Sequence, residues 1–278
     1  MNHHHFICTA AALVSLQGAA CTSNSDPGAV APTIGSDGGN AAPTCWSGQD
    51  LPGASYDLSK SRFAFGSSPV REDADGLVRW VGSQGVIAIA ANGSVGASSN
   101  GDSPALNRPS FSLDADVVTA HLRAYFKAMG VPDCQVQDVG ISSGSSGPIV
   151  GAFVATILDA ALVRGIDGIV IGESQAWADF TVDDQTTYEG FFWPAIPASV
   201  VSGAIAFRDQ LKDPQQLADY KAKLPAGVQG DGIVAIHHSP PFSSSATVKA
   251  IVTYDTGIGP SPVSFDTSGA RVVMPYDP

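Results

Sequence analysis

Hydrophobic positions along the chain mark its elements before composition is considered. In residues 113–129, Val118, Leu122, Tyr125, Phe126 and Met129 recur at helical spacing and form one apolar stripe, with Asp116, Arg123 and Lys127 opposite. Ser112 can cap the start, and Gly130 followed by Val131-Pro132 stops the helix. Leu77–Val81 and Val86–Ala91 are short apolar runs around Gly82-Ser-Gln-Gly85, which predicts two strands and a tight turn. Asn92 to Pro109 reads as a polar loop. Gln135–Ser142 alternates weakly and softens into a serine-rich loop. Pro148–Val163 is almost wholly apolar, and periodicity leaves strand and helix both open, with strand preferred. Arg164–Gly168 is a hairpin-type turn leading into Ile169–Phe180, and Thr187–Trp193 returns antiparallel to it. Helices follow at 198–211 and 214–223, the second opened by Asp213-Pro214. Ile233–His238, Thr247–Tyr254 and Arg271–Met274 close the chain as strands.

Strands outnumber helices and do not alternate with them. The expected class is α+β: an antiparallel sheet with two or three helices packed on one face.

Composition refines this picture at the N-terminus. Residues 1–20 carry no Asp, Glu, Lys or Arg, and Phe6–Leu16 is an apolar run too short to span a bilayer. It fits a signal peptide over 1–20, with Gly18-Ala-Ala20 preceding Cys21. This segment looks like a bacterial lipoprotein signal, which implies a lipid on Cys21. His3, His4 and His5 stand where basic residues are usual. Residues 21–55 are rich in Gly, Ser, Pro and Ala and read as a flexible tether, leaving 56–278 as one folded domain. The expected location is exported: lipid-anchored to the cell envelope, in the outer membrane by resemblance, or secreted. Membrane contact is expected through the lipid anchor alone.

The chain has 278 residues and a net charge of −12. A basic face for nucleic acid is therefore not expected. Four cysteines occur; removal of Cys8 and acylation of Cys21 would leave Cys45 and Cys134 to pair in an oxidising compartment.

Four constellations could carry chemistry. Gly140-Ile-Ser142-Ser-Gly144 matches the serine-hydrolase pattern G-x-S-x-G, with His237 or His238 as candidate base. A chain this rich in Gly and Ser supplies roughly 0.4 such matches by chance, and no helix follows the serine directly. His237 and His238 sit at a strand end, where alternation sends their rings to opposite faces, so no joint metal site is expected. Glu173 and Asp179 read as solvated rim charges too far apart for glycoside cleavage. Trp177 and Trp193 are candidate stacking surfaces for sugars or peptides, with a core role as the commoner use of such rings. No cofactor is expected.

Arg164-Gly-Ile-Asp-Gly-Ile-Val-Ile-Gly-Glu-Ser-Gln-Ala-Trp-Ala-Asp-Phe180, with Tyr188–Val200, resembles a group of uncharacterised bacterial predicted lipoproteins. More faintly, the helix, strand and Gly-Ile-Asp-Gly turn resemble PepSY and protease-propeptide modules, which implies peptidase binding or inhibition. The sequence thus points to a non-enzymatic, envelope-tethered binding module for protein or peptide. The alternative is a secreted serine hydrolase using Ser142.

Overall fold

The computed structural model describes residues 46–99, 115–144, 157–180, 185–225, 232–239, 245–256 and 264–272. The signal segment, Cys21 and Cys45 lie outside the described residues, as do 148–156 of the long apolar run.

Among the described residues, twelve strands form one sheet. The first four, β1 (Val70–Ala74), β2 (Leu77–Val81), β3 (Gly85–Ala90) and β4 (Val95–Ser99), make an antiparallel meander. Asp75 and Gly76 take the left-handed conformation that a two-residue hairpin needs. Helix α1 (Ala115–Ala128) follows, then β5 (Val136–Gly144), β6 (Ile157–Ile166), β7 (Ile169–Phe180) and β8 (Thr186–Phe192). Asp167 and Gly168 repeat the left-handed pair between β6 and β7. After α2 (Ala198–Gln210) and α3 (Pro214–Lys221) come β9 (Ile233–Ser239), β10 (Lys249–Asp255), β11 (Ser264–Asp266) and β12 (Arg271–Val272). Asp213 caps α3 by accepting from the Gln215 and Gln216 amides.

The main path runs β1-β2-β3-β4-β8-β7-β9-β10-β11-β12, with β6 on the other side of β7 and β5 beyond it. Among the described residues, all pairings between these strands are antiparallel except β7 with β9, which is parallel. The expected α+β class is therefore corrected. The fold is a large mixed sheet in which strands dominate, not an antiparallel sheet clad by helices on one face. Two causes stand out. The sequence reading took 92–109 as loop and 140–144 as a serine-rich loop, whereas 95–99 and all of 136–144 are strands. A parallel pairing between β7 and β9 also leaves no local signature, because its partners are some sixty residues apart in the chain.

The core is divided. Leu122, Tyr125, Phe126 and Met129 of α1 pack with Leu162, Ala176, Ala178, Phe180 and Phe191. Val201, Ala204 and Phe207 of α2 and Tyr220 of α3 pack with Ile166, Ile169, Ile171, Val234, Ile236 and Tyr254. Strand β7 belongs to both clusters. Its C-terminal half pairs with β8 and its N-terminal half with β9, so the sheet forks along its length.

A large bulge marks the fork. Val163 pairs with Gln175 and Gly165 with Val170, so a step of two residues in β6 meets a step of five in β7. The odd surplus inverts the side-chain alternation of β7. Even-numbered Ala176 and Ala178 are buried after the bulge, and odd-numbered Ile169 and Ile171 before it. Glu173, inside the bulge, has φ +59°, a conformation that costs a non-glycine residue about 1–2 kcal/mol.

A second polar anchor ties the segment before β1 to the sheet. Glu189 of β8 is fully buried, and its carboxylate accepts from Tyr56, from Ser61 at 3.0 Å, from Tyr125 at 2.7 Å and from Thr186 at 3.1 Å. Burial, with the adjacent Glu189 charge, pushes the Tyr56 and Tyr125 phenols well above their ordinary range, so they remain donors.

Candidate functional site

The densest polar cluster lies at the fork, between the two hydrophobic clusters. In β6, strand alternation puts Leu162, Arg164 and Ile166 on one face. Leu162 belongs to the first cluster and Ile166 to the second, so fully buried Arg164 sits between them. Its guanidinium donates to Gln135 Oε1 at 2.8 Å, to Pro52 O at 3.1 Å, to Pro194 O and to Ser174 Oγ at 3.4 Å. It also lies 5.1 Å from the Trp193 ring centre. Burial lowers its pKa to about 9, which still leaves it charged at neutral pH.

The bulge of β7 supplies the next two members. Ser174 Oγ is 2.8 Å from His238 Nε2. Glu173 reaches both histidines: Oε1 is 2.8 Å from His237 Nδ1, and Oε2 accepts from the His238 amide at 3.0 Å. The other ring nitrogen of His237 is 2.8 Å from Asp255 Oδ2. Asp255 in turn accepts from Thr253 at 3.2 Å and Ser264 at 2.6 Å. The His237 ring fits because position 172 is glycine; a Cβ there would lie 2.6 Å from Nδ1.

The two imidazoles hold opposite charge states. Burial works against protonation of His237, but hydrogen bonds to Asp255 and Glu173 outweigh it and raise its pKa to about 10. Asp255 is correspondingly held below the usual carboxylate range: burial opposes this, and the bond from His237 prevails. His238 is lowered to about 4, chiefly by burial, with the Arg164 and His237 charges adding to it. At neutral pH the cluster thus sets two cations, Arg164 and His237, against two carboxylates, Glu173 and Asp255. Among the described residues no buried side-chain polar atom lacks a partner.

The structure separates the sequence-based candidates. Ser142 lies in β5 and pairs with Asp159, which pairs with Asp179 near the C-terminal end of β7. His237 and His238 lie in β9, which pairs with β7 only at Val170 and Ile171 near its other end. The backbone register therefore does not bring Ser142 to either imidazole. His238 meets Ser174 instead, but both are 2% exposed, and the serine is already engaged by Arg164. Trp193 is 1% exposed in the core, whereas Trp177 is half-buried and stacks against Tyr188 with ring centres 4.6 Å apart. Glu173 and Asp179, read from sequence as solvated rim charges, are both inside; the Glu173 side chain is 4% exposed and Asp179 is 8% exposed. Cys134 lies in the short turn Asp133–Gln135.

Sequence reasoning missed Arg164 and Ser174 as site residues and read Glu173 as a solvated rim charge. The available signal was an arginine and a glutamate inside otherwise apolar strand runs, where buried charges occur only with partners. Among the described residues no group of three or more metal-ligating side chains could hold an ion, and no helix is long and apolar enough to cross a membrane. No family model, curated protein or solved structure matches the chain.

Proposed function

We propose that the protein is an exported, lipid-anchored envelope module that binds an extended peptide segment of a partner protein along the free edge of β5, without catalysis. The single observation behind this reading is the contrast among the sheet edges. Edge strands invite pairing, and proteins protect them by shortness or charge. Strand β1 is five residues long and carries Arg71, Glu72 and Asp73. Strand β12 has two residues. Strand β5 has nine, and among the described residues it pairs on one side only, with β6. From Val139 to Gly144 it carries no charge. A neutral extended peptide can add there through main-chain hydrogen bonds. Lipid attachment at Cys21 and the tether over 21–55 belong to the same proposal; they would hold the edge within reach of other envelope proteins.

The Ser142 hydrolase alternative has lost its support, because the sheet register separates the serine from both histidines. The test is selection of a random twelve-residue peptide library on the mature chain, followed by amide-exchange mapping of an enriched peptide. Protection should rise over 139–144, and Ile141→Pro should weaken binding about tenfold by removing a main-chain donor and disturbing the edge. The matching change at the opposite edge, Glu72→Pro, should leave affinity intact. An enriched peptide that leaves 139–144 unprotected, or no enrichment at all, defeats the reading.

A further inference from the structure

The fork holds a proton-sensitive contact that is independent of any edge binding. The two arms of the sheet meet on that side of β7 at Val170–Ala235 and Ile171–Ile236, and side-chain bonds from Glu173 and Ser174 to β9 complete the junction. We infer that the Ser174–His238 contact is an acid-released latch that keeps the β9–β10 arm docked on β7.

The hydrogen-bond partners support it. Arg164 Nη1 donates to Ser174 Oγ, so the hydroxyl hydrogen is free to point at His238 Nε2, which accepts only when unprotonated. A proton on Nε2 turns the hydroxyl round, so that Ser174 Oγ accepts from two cations, Arg164 and His238, at once. It also puts a third positive charge into a cluster of two cations and two carboxylates. Burial, with the Arg164 and His237 charges, outweighs the attraction of Glu173 for that charge. Arg164 approaches from β6, and protonated His237 is its neighbour on β9. Phe192 of β8 offers the imidazole a tilted ring at 5.1 Å. Glu173 of β7 already serves the His238 amide and the His237 ring, and Asp255 of β10 is committed to His237, Thr253 and Ser264. Gln135 beside the start of β5 is neutral and bonded to Arg164. The cheapest escape for a protonated imidazole is separation of β9 from the bulge.

The sign follows from linkage. His238 titrates near 4 when docked and near 6.5 when released, so docking is at full strength above pH 6.5 and weakens as pH falls toward 4. Between pH 7.5 and 4.5 the docked-to-open ratio should drop about 70-fold.

The experiment is amide exchange on the full mature chain at both pH values, corrected for intrinsic rates. Protection should fall selectively at 170–171 and 233–238 while 77–81 and 85–90 hold. His238→Gln keeps an acceptor for Ser174 but cannot titrate, and it should abolish the selective loss. An NMR titration of the wild-type ring covers a variant that does not fold. A midpoint near 4 with coupled shifts at Val170, Ile171, Ala235 and Ile236 supports the latch. A midpoint near 6.5 without them overturns it, as does equal loss of protection in both arms or a His238→Gln protein with wild-type pH dependence.

Discussion

Glu173→Gln tests whether the polar fork is held by charge or merely by shape. The substitution preserves size and one acceptor oxygen, but it replaces the second oxygen with an amide that faces a donor. In the wild type the two carboxylate oxygens serve His237 Nδ1 at 2.8 Å and the His238 amide at 3.0 Å, with the side chain 4% exposed. A hydrogen bond to a charged group contributes about 1.5–3 kcal/mol, and removing one partner of a buried ion pair costs about 3–5 kcal/mol. The expected loss is about 3 kcal/mol, a large share of the roughly 5–15 kcal/mol that folded domains possess. Urea unfolding at pH 7.5 should show a midpoint lower by about 1–2 M if the transition stays two-state. The pH profile separates charge from packing. His237 titrates near 10 when folded, so its stabilisation is complete below pH 6.5 and disappears as pH rises through 10. Without the Glu173 charge the folded His237 releases its proton more readily, so the alkaline decline should be smaller and should end at a lower pH. A midpoint shift worth less than about 1 kcal/mol, or an alkaline limb identical to wild type, would refute the account of the clamp.

Two further outcomes are expected. Gly172→Ala should cost about 2–3 kcal/mol, read as a lower melting temperature, because the new methyl would sit 2.6 Å from His237 Nδ1 and displace the ring from Glu173; a melting point within a degree of wild type would show that the ring has room. Cys134 is proposed to pair with Cys45 after export, since Gln135 and Arg164 both hold Pro52 close to the turn that carries Cys134; reduction or Cys134→Ser should destabilise by about 2–4 kcal/mol, and quantitative alkylation of Cys134 without reductant would exclude the bridge.

Local elements were legible where a local rule governs them. The stripe through Val118 and Met129 fixed α1, the left-handed Gly130 ends it, and Asp213-Pro214 opens α3 as expected. The Asp167-Gly168 hairpin was legible for the same reason. What failed to show was long-range. Val95–Ser99 is a strand because β3 and β8 flank it, although its own residues, Val-Gly-Ala-Ser-Ser, have little strand preference. Gly140–Gly144 reads as a loop for the same reason and becomes strand by pairing with β6. The site was harder still. Glu173 lies in an apparently regular strand, and only the register reveals that three extra residues turn its side chain toward β9.

The bulge and the charges explain each other. A continuous β7 would keep strict alternation and could not bury Ile171 and Ala176 in the clusters they join, since their positions differ in parity. The surplus residues resolve that conflict but interrupt the ladder and expose a gap between two apolar cores. Aliphatic side chains could fill such a gap by volume, yet they would leave the Pro52 and Pro194 carbonyls without donors; Arg164 reaches both and stacks on Trp193 as well. Once that cation is fixed, the Ser174 hydroxyl hydrogen points away from it, the neutral His238 becomes the natural acceptor, and a compensating carboxylate is needed nearby. Glu173 meets that need through the His238 amide while clamping His237 against Asp255. On this reasoning the strain at Glu173 is maintained by the same bonds that make the fork sensitive to a single added proton.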